Sequence, residues 1–93
     1  QLDQKEDALG YYEKAFNANI NDFTTPLYLM KAARLSIDLG QNDKALGYLN
    51  RIKSEFSTST EFTQVDALIG STESLEYLRK IAEQYDSNLR KQF

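Results

Sequence analysis

The sequence contains no histidine and no cysteine among its 93 residues. Histidine is the commonest general base near neutral pH, and cysteine supplies the usual thiolate nucleophile. Together they also provide the ligands of most zinc sites. Their absence disfavours most hydrolytic, redox and transition-metal chemistry, and no catalytic pair, metal ligand or cofactor site can be assigned.

Glycine and proline are scarce, with four and one residues respectively, and 41% of the chain is hydrophobic. An all-β domain needs a turn every 8–12 residues or so, and this composition offers too few turn residues for that. The sequence therefore predicts an all-α domain, and its non-catalytic composition favours a binding role over an enzyme.

The chain also lacks an excess of basic residues and any long apolar run. Eleven Lys and Arg stand against fourteen Asp and Glu, which gives a net charge of −3. A nucleic-acid binder usually carries a basic patch, and a membrane span needs about 18 or more apolar residues. We therefore expect neither nucleic-acid binding nor direct membrane contact from this segment.

Apolar residues at helical spacing predict about five helices. The first covers 4–18 and the second 26–39, where Gly40 is expected to end the helix in the left-handed conformation. Asn42 or Asp43 is expected to cap a third helix, and Thr58 with Glu61 fits a capping box before a fourth. Around Gly70 the sequence permits either a turn or a soft spot within one longer helix.

A tetrapeptide returns unchanged in the sequence. Ala8-Leu9-Gly10-Tyr11 recurs 37 residues later as Ala45-Leu46-Gly47-Tyr48. Periods of 20–50 residues are typical of stacked supersecondary units, and helix pairs give periods near 34. Gly10 and Gly47 either reflect an inherited duplication or allow the close approach of another backbone.

The spacing of small and large residues resembles the tetratricopeptide repeat family. The second-helix pattern is matched by Ala8, Tyr12 and Ala15, and less closely by Ala45, Leu49 and Ile52, while Ala33 and Gly70 stand where a small residue is wanted. The sequence departs from the family where Leu29 replaces tryptophan, Ser36 replaces tyrosine and Ser57 replaces the closing proline. The resemblance implies antiparallel helix pairs stacked as a short right-handed superhelix. It divides the chain into 1–18 as the second helix of a truncated repeat, 26–56 as one full repeat, and 60–92 as a degenerate repeat or a long C-terminal capping helix.

A finer resemblance covers residues 12 to about 73 and is carried by three segments, 11–15, 23–32 and 57–61. These segments look like the last repeats of bacterial tetratricopeptide proteins that are anchored in the envelope by a single N-terminal span. This implies a location on the periplasmic side of the envelope, with the anchoring span outside the segment.

The function implied by the family is that of a non-catalytic scaffold whose concave groove binds a peptide segment or a partner helix of another protein. The expected groove residues lie on the first helix of each repeat: Leu27, Met30, Arg34, Ile37, Gln64, Ala67 and Ser71. An accessory or sensor domain fused to an enzyme remains an alternative from a different class.

A second alternative is self-association as a homodimer through the C-terminal helix. Five residues near the C-terminus follow heptad spacing there: Leu75, Leu78, Ala82, Tyr85 and Leu89. The resemblance also implies that the helix that would cover the outer side of Leu9, Tyr12 and Phe16 is missing. Both ends of the stack are therefore expected to expose apolar surface.

Overall fold

A computed structural model describes residues 2–92, with side chains for 3–91. This part of the chain is all-α and contains four helices: α1 Leu2–Ala18, α2 Thr24–Asp38, α3 Asn42–Glu55 and α4 Phe62–Gln92. The all-α class is confirmed. The expected count of about five is wrong for these residues because 62–92 form one uninterrupted helix through Gly70.

Each helix packs on the next one along the chain: α1 on α2, α2 on α3, and α3 on α4. The connections are short, which makes consecutive helices antiparallel neighbours. The core between them is formed by buried apolar side chains from all four helices, among them Leu9, Phe16, Leu29, Ala32, Ala33, Leu49, Ile52 and Val65. These are the stripes that the helical spacing predicts.

The α2–α3 turn has the conformation expected at Gly40, whose φ is +75°. The Gly40 N–H donates to the carbonyl of Ile37 at 3.0 Å, and the Gln41 N–H donates to the carbonyl of Ser36 at 2.7 Å. These two bonds form a Schellman motif, which uses the free carbonyls at the end of α2. The prediction for Gly40 is confirmed, and α3 therefore folds back directly onto α2.

The helix starts differ from their predictions. Gln41, rather than Asn42 or Asp43, stands at the N-cap of α3, and it makes no side-chain capping bond. The predicted Thr58–Glu61 capping box does not form either. Instead the Ser59 hydroxyl oxygen accepts the Phe62 N–H at 3.2 Å while donating to the carbonyl of Phe56 at 2.7 Å. Ser59 satisfies groups on both sides of the turn, which Thr58 cannot do from its exposed position.

The start of α2 is organised by Asn21 in the preceding loop. Its side-chain oxygen accepts the N–H groups of Phe23 and Thr24 at 2.9 and 2.7 Å, and its amide nitrogen donates to the Thr24 hydroxyl. Asparagine commonly forms such local bonds because its short side chain reaches its own backbone. The loop holds Phe23 with 86% of its surface exposed.

The 37-residue offset also relates the helix boundaries. Ala18 at the end of α1 corresponds to Glu55 at the end of α3. Thr24 at the start of α2 corresponds to Glu61, one residue before α4 begins. Gly40 corresponds to Tyr77. A tyrosine does not take the left-handed conformation at low cost, so the helix continues where α2 turned.

The second half of α4 extends away from the other helices. Residues 77–91, which we term the α4 extension, are all exposed, whereas Thr72 is buried and Glu76 is half-buried. Thirty-one helical residues span about 46 Å, which accounts for most of the 55 Å long axis. This segment does not return as an intramolecular cap over the bundle.

The expectation that Leu9, Tyr12 and Phe16 lack cover is wrong for Leu9 and Phe16, and Tyr12 is half-buried. Leu9 and Phe16 are only 4% exposed, because α2 and α3 together enclose the inner face of α1. The Tyr48 ring meets the Phe16 ring edge-on at 5.5 Å, and the Arg51 guanidinium lies 5.7 Å from the centre of the same ring. Contacts from α3 therefore cover Phe16.

Gly47 lies inside α3 with open space around it. A Cβ built at this position meets no atom within 4 Å, and the same is true at Gly10, so neither glycine serves a close backbone approach. We expect Gly47→Ala to raise the free energy of unfolding by about 0.5–1 kcal/mol because alanine favours a helix interior. Urea unfolding measures this change. Gly40→Ala is the contrast, since its positive φ makes alanine unfavourable, and a stabilised Gly40→Ala variant would contradict the turn geometry.

Candidate protein-interaction surfaces

One face of the molecule is shared by α2 and α4, and we term it the α2–α4 face. The Arg34 guanidinium on α2 donates to the side-chain oxygen of Gln64 on α4 at 2.7 Å, across 30 residues of sequence. Both side chains are exposed, as is Leu27 at 38%. An arginine has five N–H donors, so this bond leaves most of the guanidinium available to a ligand.

The other groove residues expected from the sequence have different surroundings. Met30 is only 5% exposed and belongs to the core, so it is unavailable to a partner on this face. Ile37 is half-buried, while Ala67 and Ser71 are exposed on α4. The Ser71 hydroxyl already donates to the carbonyl of Ala67 at 3.0 Å. The accessible residues of the α2–α4 face are therefore Leu27, Arg34, Gln64, Ala67 and Ser71.

At the loop end, the α2–α4 face leads into a cavity of about 380 Å³. Phe23 and Leu27 line it from one side, and residues 58–61 line it from the other. Phe23 is a functional candidate that the sequence reasoning missed. It falls in a predicted linker, and the only sequence signal was an aromatic residue between the polar residues Asp22 and Thr24.

The apolar stripe on α4 is the second surface. Its members are those predicted from heptad spacing, and each is exposed: Leu75, Leu78, Ala82, Tyr85 and Leu89. Ile81, at 44% exposure, widens the stripe. It lies between Leu78 and Ala82 and is not one of the residues at heptad spacing. Ser71 precedes Leu75 by four residues, so the stripe continues the α4 edge of the α2–α4 face.

The stripe begins where α4 is last anchored to the bundle. The Asn42 amide on α3 donates to the Glu76 carboxylate at 2.8 Å. Arg79 forms ion pairs with Glu76 and with Glu83, one turn before and after it. The hydrogen bond from Arg79, followed by that from Asn42, lowers the pKa of Glu76 from 4.5 to about 2.

This pKa shift predicts an acid dependence of stability. A carboxylate whose pKa is lower in the folded state stabilises the fold above its unfolded pKa and loses that effect as the pH falls to its folded pKa. We expect wild type to be more stable than Glu76→Gln above pH 4.5, with the difference shrinking towards pH 2. Thermal unfolding across this range measures it. Glu73→Gln, at an exposed position one turn earlier, is the matched control, and a pH-independent difference for Glu76→Gln would contradict the assigned contacts.

A cluster of polar side chains joins α1 to α3. The Tyr48 hydroxyl donates to the Glu13 carboxylate, and the Lys44 ammonium lies 3.4 Å from the same oxygen. Burial, together with the bond to Glu13, raises the pKa of Tyr48 well above its ordinary value. The contacts of Glu13 with Tyr48 and Lys44 attach α1 to α3.

Within residues 2–92 no group of three or more acidic side chains is placed to hold a metal ion. Over the same residues, no helix combines the length and the apolar character that crossing a bilayer requires. Comparisons with protein-family models, with curated proteins and with solved structures find no match to this chain. Its residues and their geometry are therefore the basis for inferring a function.

Proposed function

We propose that this chain is a non-catalytic protein-interaction module of the tetratricopeptide-like kind, which binds an extended peptide segment of another protein on the α2–α4 face. The observation that carries the proposal is the Arg34–Gln64 hydrogen bond of 2.7 Å. It joins two helices that are not neighbours in sequence into one exposed surface. Repeat proteins present their binding surfaces in this way, through corresponding helices of successive units.

The chemistry of this face indicates the kind of peptide. Leu27 and the exposed Phe23 offer apolar contacts near the cavity, while the Arg34 guanidinium can form paired hydrogen bonds with a carboxylate. Arg34 lies seven positions after Leu27 in the helix, a distance of about 10 Å along its axis. An extended peptide covers that distance in about three residues. The proposed ligand therefore carries an apolar side chain and an acidic side chain about three positions apart.

Selection from a library of random dodecapeptides displayed on phage tests this proposal. We expect enriched sequences to share the apolar and acidic spacing, and Arg34→Ala to weaken binding of the synthetic peptides at least about tenfold. Arg90→Ala is the matched control because Arg90 is exposed on the α4 extension, away from this face. Titration calorimetry gives the affinities.

Three results would contradict the proposal. One is the absence of any enriched peptide family that binds the folded chain. Another is an equal loss of affinity for Arg34→Ala and Arg90→Ala, which would indicate nonspecific attraction between charges. A peptide whose affinity is unchanged by Leu27→Asp would also place the binding site elsewhere.

A further inference from the structure

The apolar stripe on the α4 extension is exposed, whereas the first half of α4 packs one side against α3. Leu78 is 60% exposed and Tyr85 is 63% exposed, and they lie on the same side of the helix as Ala82 and Leu89. A contiguous apolar surface of this kind marks an interaction site in a soluble protein. The structure and the charge pattern of the helix together indicate what covers it.

The first half of α4 offers no apolar surface onto which this stripe could fold back. Val65 and Thr72 are buried against α3. Helical periodicity places four exposed residues on the opposite side: Thr63, Ala67, Gly70 and Ser74. All four are small or polar. A hairpin that returned the α4 extension to this side would leave its leucines against a surface without large apolar partners.

We propose that the stripe is covered by the same stripe of a second copy, with the two α4 extensions antiparallel. The pairing is centred between residues 83 and 84. It sets Leu78 against Leu89 of the second copy and Ala82 against Tyr85 of the second copy. Each large residue at the middle of this interface faces a small one, an arrangement that lets helices interdigitate closely.

Charge complementarity selects this orientation. Arg79 and Asp86 border the stripe along one edge, whereas Glu73 and Lys80 lie on the opposite side of the helix. An antiparallel pair centred between residues 83 and 84 brings Arg79 of each copy beside Asp86 of the other, so two ion pairs of opposite charge form across the interface. A parallel pair in register sets Arg79 beside Ser74 and Ile81 of the second copy, so these ion pairs are lost.

The expected affinity follows from the size of the interface. Four helical turns bury about 400 Å² per copy, roughly half of the ~800 Å² per partner of a standard stable interface. Association entropy offsets much of the gain, so we expect a dissociation constant of about 10–100 µM. The closed two-fold symmetry of the pair stops assembly at the dimer.

Sedimentation equilibrium of the 93-residue chain between about 1 and 500 µM tests the association, since that range brackets the expected constant. We expect a mass that rises from monomer towards dimer, and an increase of at least about tenfold in the dissociation constant for Leu78→Glu. Ser87→Glu introduces the same side chain on the opposite side of the extension, and it should leave the constant within about twofold. A monomer at every concentration would overturn the proposal and leave the stripe to another segment or protein. A larger assembly, or equal effects of the two variants, would overturn it too.

The absence of cysteine makes the orientation directly measurable. Single-cysteine variants Leu78→Cys and Leu89→Cys, mixed under mild oxidation, should form a disulfide between the two variants. Neither should cross-link readily to itself, because the two copies of each position are separated by about 16 Å along an antiparallel pair. Self-cross-linking of Leu78→Cys in preference to the mixed product would indicate a parallel pair and would overturn the proposed orientation. These results do not depend on peptide binding at the α2–α4 face.

Discussion

Leu29→Ala is expected to lower the free energy of unfolding by about 2–5 kcal/mol, the largest effect of any single substitution considered for this chain. Leu29 is fully buried in α2 at the centre of the core cluster. Removing its three terminal carbons loses both their transfer free energy and their packing contacts, since helices on both sides of α2 limit how far the cavity can collapse. Urea unfolding followed by circular dichroism gives the difference.

Leu27→Ala is the matched control for this prediction. It removes the same atoms from the same helix two residues earlier, at a position that is 38% exposed. We expect it to cost less than about 1 kcal/mol because less apolar surface is lost from the interior. Equal losses for Leu27→Ala and Leu29→Ala would mean that α2 presents a different side to the core.

Ala33→Leu is expected to destabilise the fold by about 1–3 kcal/mol. Ala33 is fully buried, as is Ala32 beside it, so α2 has no space for additional methyl groups where neighbouring helices cross it. Ala45→Leu on α3 is expected to behave alike, because Ala45 is also fully buried.

Ala67→Leu tests whether this cost comes from crowding rather than from leucine in a helix. Ala67 is exposed on α4, and leucine has a helix propensity close to that of alanine. We expect a change within about 0.5 kcal/mol for this variant. If Ala33→Leu and Ala45→Leu unfolded at the same urea concentration as wild type, the close helix crossings at these alanines would be disproved.

The sequence predicts α1, α2 and α3 within a few residues because each has a regular apolar stripe and a clear stop. Gly40 is the strongest such signal, since a glycine after a helical stripe satisfies both the helix end and the chain reversal. Capping was less predictable. Several polar residues compete at each helix start, and tertiary packing decides whether Ser59 or Thr58 reaches the free N–H groups.

The continuity of α4 could not be decided from the sequence. Gly70 has a low helix propensity, which costs about 1 kcal/mol. The burial of flanking residues such as Val65 and Thr72 on one side of the helix outweighs this cost. The more informative signal lay further along, where Tyr77 stands 37 residues after Gly40. A repeat that lacks its turn glycine is expected to continue as one helix, and this leaves the stripe exposed.

The candidate surfaces were predicted unevenly for a related reason. Heptad spacing identifies the stripe residues from sequence alone, because one helix suffices to place them on the same side. The α2–α4 face requires the relative rotation of two helices, and an error of one position exchanges a groove residue for a core residue. Met30 shows this, since it lies next to the buried Leu29 and turns inward with it.

Amide hydrogen exchange followed by mass spectrometry at about 1 µM tests most directly that α4 leaves the bundle after Glu76 and exposes the α4 extension. We expect strong protection in α2, α3 and residues 62–76, where the buried side chains lie. Residues 77–91 should exchange far faster, because an isolated helix of this length is marginal in water. Equal protection of 62–76 and 77–91 at this concentration would contradict the account, since it would mean that the α4 extension packs against its own chain.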